Sequence, residues 1–396
     1  MTPKSMVSLF CGCGGFDLGA MRAGFVPVLA IDNDRAAIET YRRNISTDVL
    51  EGDLTASISG TYPEDVDLLL GGPPCQGFSS AGPKNRHDPR NKLWAAYLRI
   101  LRLCRPKAFV LENVLGFQRE LPGFTAALTQ VSGARYRISA RKLVMQFYGV
   151  PQFRHRLFVV GIRDDVAAGP VWPEPVCAET FDYTGEFAGM ISMREALQDL
   201  GPARNATDRF GDGEQDHVFV SLATEDAAIA VHIPNGGSLK NIPDRHLPDL
   251  YAGRARGIRG WTWYYRKPRP QLPGRSVIAS IRPIYATILA PDVWCEARKG
   301  GWAWSHIPPS EYTSTDGLYT SPVPPRRLTV RECARLQTFP DEFRFCGTLL
   351  EKHRMIGNAV PCEFSRRLCD TLRKLLDGEI AAPEGHAEQL TLMGEL

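Results

Sequence analysis

A single thiol stands in the run Gly71-Gly72-Pro73-Pro74-Cys75-Gln76-Gly77-Phe78-Ser79-Ser80. A cysteine attacks as its thiolate, and a loop stiffened by prolines at the open end of a buried strand would present one to a substrate. The preceding run, Val66-Asp67-Leu68-Leu69-Leu70, is too short for a helix and is closed by two glycines, so it reads as such a strand. A lone cysteine is more often a small buried hydrophobe. Two prolines and a glutamine suit a core badly, because polar groups would go unpaired there. On this run alone both readings stay open.

Two further sets of residues could serve a reacting thiol. Ala108-Phe109-Val110-Leu111 reads as another strand, ending in Glu112-Asn113-Val114. A carboxyl at the tip of a neighbouring parallel strand is placed for proton chemistry, although a solvated acid at a loop start would look the same. Segments 135–145 and 157–162 read as a hairpin, joined by Gln146–Arg156, which ends in Gln152-Phe153-Arg154-His155-Arg156. Strand alternation puts Arg154 and Arg156 on one face, where they could grip a carbonyl or phosphate, or pair with Glu112.

The elements that would position these groups begin at the N-terminus. Met6–Phe10 reads as a strand, Cys11-Gly12-Cys13-Gly14-Gly15 as a turn, and Phe16–Ala23 as a helix closed by Gly24. A second strand, Phe25–Ile31, ends in Asp32-Asn33-Asp34. Strand, glycine turn, helix and strand with an acid at its tip form a nucleoside-binding unit, the carboxylate accepting ribose hydroxyls. The pattern is GxGG rather than GxGxxG, with no Gly-Lys-Ser/Thr, which disfavours dinucleotides and triphosphates and leaves an adenosyl ligand without a pyrophosphate. A tight turn with no ligand is the plain alternative. Asp53, in Glu51-Gly52-Asp53-Leu54, could accept from an adenine amino group or cap the next turn. Residues 35–44 read as a packing helix, and Leu93, Trp94, Tyr97, Leu98 and Leu101 give another with one buried face. Between them, Lys84, Arg86, His87 and Arg90 mark a basic loop able to close over a polyanion.

The 396 residues suffice for two domains, and 43% apolar with 23% charged residues is ordinary for a soluble globular chain. The apolar runs fall far short of the ~20 residues that span a bilayer, and no signal peptide is evident. Ten cysteines without CxxC pairs speak against a zinc site and a disulfide framework, and fit a reducing cytoplasm. Net charge is only +3, yet residues 178–230 hold 11 acidic and 3 basic residues while 240–282 hold 10 basic and 2 acidic. A local surplus of that size is a candidate phosphate-binding surface.

Taken together, these blocks resemble the DNA (cytosine-5) methyltransferases, most closely the bacterial restriction–modification type. Phe10–Gly15 is similar to the family's adenosylmethionine loop, Pro73-Pro74-Cys75-Gln76 to its nucleophile motif and Glu112-Asn113-Val114 to its ENV motif. Gln152–Arg156 is similar to QxRxR, Arg327–Gln337 to the long penultimate motif and Gly357-Asn358-Ala359-Val360-Pro361 to the last block. Ser8 departs, since many members carry Asp there. The resemblance implies a Rossmann-like α/β sheet with helices on both faces plus a smaller, irregular target-recognition domain. It also implies methyl transfer from S-adenosylmethionine to carbon 5 of a flipped-out cytosine in a specific duplex sequence, without a metal. Cys75 would add to carbon 6 and make carbon 5 enamine-like. Glu112 would hold the N3 edge and Arg156, with Arg154 beside it, the O2. Asn113 and Gln152 would position. The donor would lie among Phe10, Gly12, Gly14, Gly15, Asp32, Asn33, Asp53, Leu54, Pro74, Leu93, Asn358 and Ala359.

The same resemblance implies a discontinuous catalytic domain, residues 1–163 and 327–378, with recognition in 164–326 and a polar tail over 379–396. Phe364, Leu368, Leu372, Leu375 and Leu376 mark an amphipathic helix within 354–376. Ser79, Ser80, Arg256, Arg259 and Lys267 are the expected DNA contacts. Trp261, Trp263, Tyr264 and Tyr265 nearby read mostly as core. The expected partners are duplex DNA and a separately acting endonuclease, the chain itself being a monomer. Two other readings remain: an RNA (tRNA) cytosine-5 methyltransferase on the same scaffold, disfavoured by Gly77-Phe78-Ser79-Ser80, and a non-catalytic DNA-binding relative, disfavoured by Cys75, Glu112 and both arginines occurring together.

Overall fold

The computed structural model describes residues 2–56, 62–74, 93–131, 134–177, 189–200, 203–205, 216–219, 271–279, 294–298, 301–305, 313–315, 318–320 and 327–382. Its first eight strands, in chain order, are β1 (Lys4–Leu9), β2 (Phe25–Asp32), β3 (Val49–Glu51), β4 (Leu68–Gly71), β5 (Ala108–Asn113), β6 (Tyr136–Val144), the two-residue β7 (Gln152–Phe153) and β8 (His155–Arg163). Seven of them form one sheet in the order β3-β2-β1-β4-β5-β8-β6. The first five run parallel, while β8 is antiparallel to both β5 and β6, the hairpin read from the sequence. The chain winds outward from β1 to β3 and then returns to β4 on β1's other side. The carboxyl ends of β1 and β4 therefore flank a topological switch point, where such sheets leave a crevice.

Both faces of the sheet are covered, which explains runs such as Leu68-Leu69-Leu70 with no exposed position. Met6, Leu68, Leu70, Val110, Phe158 and Val160 face one way. They meet α1 (Gly15–Arg22) and a C-terminal helix whose Phe364, Leu368, Leu372 and Leu375 are buried with them. Val7, Leu9, Leu69, Phe109, Leu111 and Val159 face the other way, toward α3 (Leu93–Cys104) and α4 (Leu121–Val131). The helix α2 (Arg35–Asn44) starts on Asp34, whose carboxylate accepts from the Ala36 and Ala37 amides.

The amphipathic helix expected from Phe364 to Leu376 forms, and a separate helix precedes it, so 354–376 holds parts of two helices. With α5 (Met193–Leu197) and α6 (Val330–Leu336) before them, they are α7 (Leu349–Asn358) and α8 (Cys362–Leu376). Pro361 disfavours helical backbone at Val360 and stands at the N-cap of α8, so the helix stops and restarts. Ala359 is extended, with φ −64° and ψ 149°. Within 164–326 the described elements are short, among them the antiparallel hairpins Trp294–Arg298 with Gly301–Ser305 and Thr313–Thr315 with Leu318–Thr320. Gly274–Arg275 pairs parallel with β7. Among the described residues no helix is long and apolar enough to cross a membrane.

Candidate active site

Glu112 ends β5 beside the exit of β4. It lies opposite Phe158 in the antiparallel register, so Arg156, two residues earlier on β8, is its diagonal neighbour on the same face. The Arg156 Nε sits 2.9 Å from Glu112 Oε1, with the side chains 21% and 11% exposed. The pairing that the sequence offered as one alternative is thus made. Arg156 Nη1 also donates to the His155 carbonyl at 2.8 Å. One residue on, Asn113 donates through Nδ2 to the Pro73 carbonyl at 2.9 Å, while its Oδ1 accepts from Val114 N–H at 2.8 Å. This bond ties the carboxylate's strand to the backbone that leads into Cys75. Cys75, Ser79, Ser80, Arg256, Arg259 and Lys267 lie outside the described residues, as do Trp261, Trp263, Tyr264 and Tyr265 and the basic loop with Lys84, Arg86, His87 and Arg90.

Beyond β1 the backbone turns sharply: Phe10, Gly12 and Gly14 take φ of 55°, 56° and 89°. For Phe10 the left-handed region costs about 1–3 kcal/mol, strain of the kind that collects at ligand sites. A Cβ on Gly12 would meet nothing within 4 Å, so this backbone faces open space. Asp32 braces the turn from the neighbouring strand, its oxygens accepting from Gly12 N–H and Asp34 N–H at 2.8 Å each. Burial pushes its carboxyl above the usual range. Each oxygen retains capacity for a second donor, as a ribose requires. Asn33 is exposed, Leu54 buried, and Leu93 and Ala359 half-buried, with Pro74 and Asn358 exposed. Asp53 is exposed and accepts from Thr55 through its amide and hydroxyl at 2.8 and 2.7 Å, which is the turn-capping role.

Arg154 departs from expectation. It shares Arg156's strand parity, but it is 1% exposed and turned into the protein. Its Nη1 donates to the Val277 carbonyl, and its Nη2 to those of Gly357 and Ala359, all at 3.0 Å. A guanidinium committed to three backbone carbonyls grips backbone, not a substrate. Gln152 is fully buried, its Nε2 donating to Leu336 O at 2.6 Å and Gln337 Oε1 at 2.7 Å.

One acid went unread in the sequence. Asp17, fully buried in the first turn of α1, accepts from Ser8 Oγ at 2.9 Å and Tyr41 Oη at 2.8 Å. Desolvation raises its carboxyl to about 6. The only available signal was Ser8 itself, the departure from the resembled pattern, whose hydroxyl is the group that Asp17 accepts from.

A family model described as C-5 cytosine-specific DNA methylase matches residues 4–374. The type II methyltransferase M.NgoFVII of Neisseria gonorrhoeae is 32% identical over 91% of this chain and 83% of its own length. M.FnuDI of Fusobacterium nucleatum is 30% identical over 94% of each. Among solved structures, an Escherichia coli chain described as a DNA modification methyltransferase encoded within a prophage superposes with TM-score 0.62 at 22% identity, covering 94% of this chain and 99% of that one. The Dnmt2 methyltransferase of S. pombe does so with 0.58 at 14% identity, covering 94% and 99%. The crevice, the carboxylate–arginine pair and these matches agree, and the chain belongs to the C-5 cytosine-specific DNA methylase family as a DNA (cytosine-5) methyltransferase related to those of type II restriction–modification systems.

Proposed function

We propose that the chain methylates carbon 5 of a cytosine swung out of a specific duplex sequence, with Cys75 as covalent nucleophile and S-adenosylmethionine as donor. The observation that carries this reading is the Glu112–Arg156 pair beside Pro73 and Pro74, the two residues before Cys75. Cytosine offers an N3 and an O2 along one edge, and a carboxyl with an adjacent guanidinium matches that edge. The thiolate of Cys75 adds to carbon 6, pushing electron density toward carbon 5, while Glu112 shares a proton with N3 and Arg156 steadies the charge building on O2. S-adenosylmethionine, when bound, supplies an electrophilic methyl group to carbon 5. Loss of the carbon-5 proton and expulsion of the thiolate then restore the ring and free Cys75.

The described turn fits an adenosyl group: Gly12 leaves backbone open, Asp32 has acceptor capacity for a ribose, and Ala359 and Val360, next to the exposed Asn358, lie against Gly15. Burial also pushes up the thiols of Cys11, Cys13, Cys104, Cys333, Cys362 and Cys369, which leaves them inert and supports the loop cysteine as the reactive one. The test is transfer of a tritiated methyl group to duplex DNA by the wild type and by Cys75→Ser, with tRNA as a second acceptor. Wild-type incorporation into duplex alone, and none by the variant despite retained DNA binding, is expected. Turnover by Cys75→Ser would remove this thiol from the mechanism.

A further inference from the structure

Three buried side chains form a knot that the chemistry above does not use. Gln337, at the end of α6, donates through Nε2 to the carbonyls of Ile356 at 2.6 Å and Ala359 at 3.1 Å, the last turn of α7. Its own carbonyl accepts from Cys362 N–H at 3.1 Å, the first residue of α8. One residue thus spans the break at 359–361, which begins at the expected donor contacts Asn358 and Ala359. Gln337 Oε1 accepts from Gln152, whose Oε1 accepts from Val277 N–H at 3.0 Å. Arg154 closes the ring by donating at once to Val277 O and to Gly357 O and Ala359 O. Both backbone polar groups of Val277 are therefore held by side chains that also hold, directly or through one further bond, the 357–359 turn.

The contact is tight as well as polar. Gly357 packs directly on the backbone of Ile278, where any Cβ would run into the Ile278 carbonyl and the Ala279 amide. Val277 shares an apolar cluster with Leu336, Met355, Ile356 and Cys13, so the glycine turn after β1 rests on the same packing. The segment 274–279 is itself anchored, since Gly274 N–H donates to Pro151 O at 2.9 Å and Ser276 Oγ to Phe153 O at 2.6 Å. It lies within 164–326, seven residues after Lys267 in the basic stretch. A displacement of this segment would have to move the Gly357–Ala359 turn with it or break these buried hydrogen bonds, and polar groups stranded there are costly.

We infer that Gln337, through Gln152, Arg154 and the Val277 peptide, is a positioning residue that couples duplex binding on the 164–326 region to donor binding at the 357–360 turn. This rests on the proposed function for the identity of both ligands. Coupling of this kind is reciprocal, each ligand tightening the other by one common factor.

The experiment measures binding of S-adenosylhomocysteine to the full-length protein, alone and with a saturating duplex carrying the methylated sequence found by bisulfite sequencing. The converse titration supplies the second arm. In wild type each ligand should tighten the other at least fivefold by the same factor. In Gln337→Leu that factor should fall to within twofold of one, with each ligand still binding alone. Gly357→Ala, which leaves every paired side chain in place but wedges 278 from the turn, should reduce it too, and it serves if the leucine variant fails to melt cooperatively. A wild-type factor of one, or an unreduced factor in both folded variants, overturns the coupling. Failure of wild type to bind S-adenosylhomocysteine at all would instead strike at the donor assignment, which separates the two claims.

Discussion

At the scale of single residues, the site works by diagonal placement. Glu112 meets Arg156 because an antiparallel register sets the arginine two residues from the carboxylate's direct partner, Phe158. A one-residue slip would send Arg156 to the opposite face, where Leu157 and Val159 pack. Glu112→Gln keeps the shape but removes the proton-sharing group and the ion pair. Its kcat should drop on the order of 100- to 10,000-fold, the usual worth of a positioned acid–base group. Duplex and S-adenosylhomocysteine affinities should stay within a few-fold; a variant within threefold of wild-type turnover would deny Glu112 its role. Asp17 makes a different prediction. Its carboxyl rises from 3.8 to about 6 on folding, mainly by desolvation. The folded chain therefore holds this proton more tightly than the unfolded one, and the carboxyl's contribution to stability falls as pH climbs from about 4 to 6, then levels. Asp17→Asn lacks that proton, so the stability of wild type relative to the variant should decline over this window by on the order of 2–3 kcal/mol, read from urea unfolding at pH 4.5 and 7. A pH-independent difference would mean the acid is not desolvated.

At the scale of elements, the C-terminal helix completes what the N-terminal strands begin. The close crossing of α1 and α8 depends on Gly19, where a Cβ would collide with Cys362 O, Ser365 Cβ and the Arg366 amide. Gly19→Val should cost about 1–3 kcal/mol by overpacking, visible as a lower urea midpoint at unchanged slope. An unchanged midpoint would show that α8 can slide away from α1 freely. These strands and helices were legible in the sequence because burial on both faces leaves dense apolar runs such as Leu68–Leu70, and a helix packed on one side leaves spacing like Phe364, Leu368, Leu372 and Leu375. Pro361 marked where that helix starts, whereas the separate helix Leu349–Asn358 before it was not read from the sequence. Glu112 and Arg156 were legible as residues and as one possible pair. The burial of Arg154 was not: a guanidinium held by carbonyls 123 and 203 positions away leaves no periodic trace. The Gln152–Gln337 bond, across 185 positions, escaped for the same reason.

At the scale of the whole molecule, charge is sorted along the chain. Ten basic residues against two acidic over 240–282 make that stretch the expected seat of phosphate binding, in a protein whose net charge of +3 would draw DNA only weakly. Replacing Arg256 and Arg259 with alanine should weaken duplex binding across sequences alike. It should also flatten the plot of log affinity against log salt by up to about 2, since each phosphate that a cation neutralises adds about 0.9 to the slope. An unaltered slope would place the DNA surface elsewhere. Catalysis as proposed turns on Cys75 bonding to carbon 6 of an extruded cytosine. The most direct measurement uses a duplex whose target cytosine carries fluorine at carbon 5, where after methyl transfer no proton remains to leave. With S-adenosylmethionine present, the protein should form a one-to-one adduct stable to denaturant, and mass spectrometry should place the nucleotide on the peptide containing Cys75. No adduct with a duplex that the wild type otherwise methylates, or an adduct on another cysteine, would contradict it.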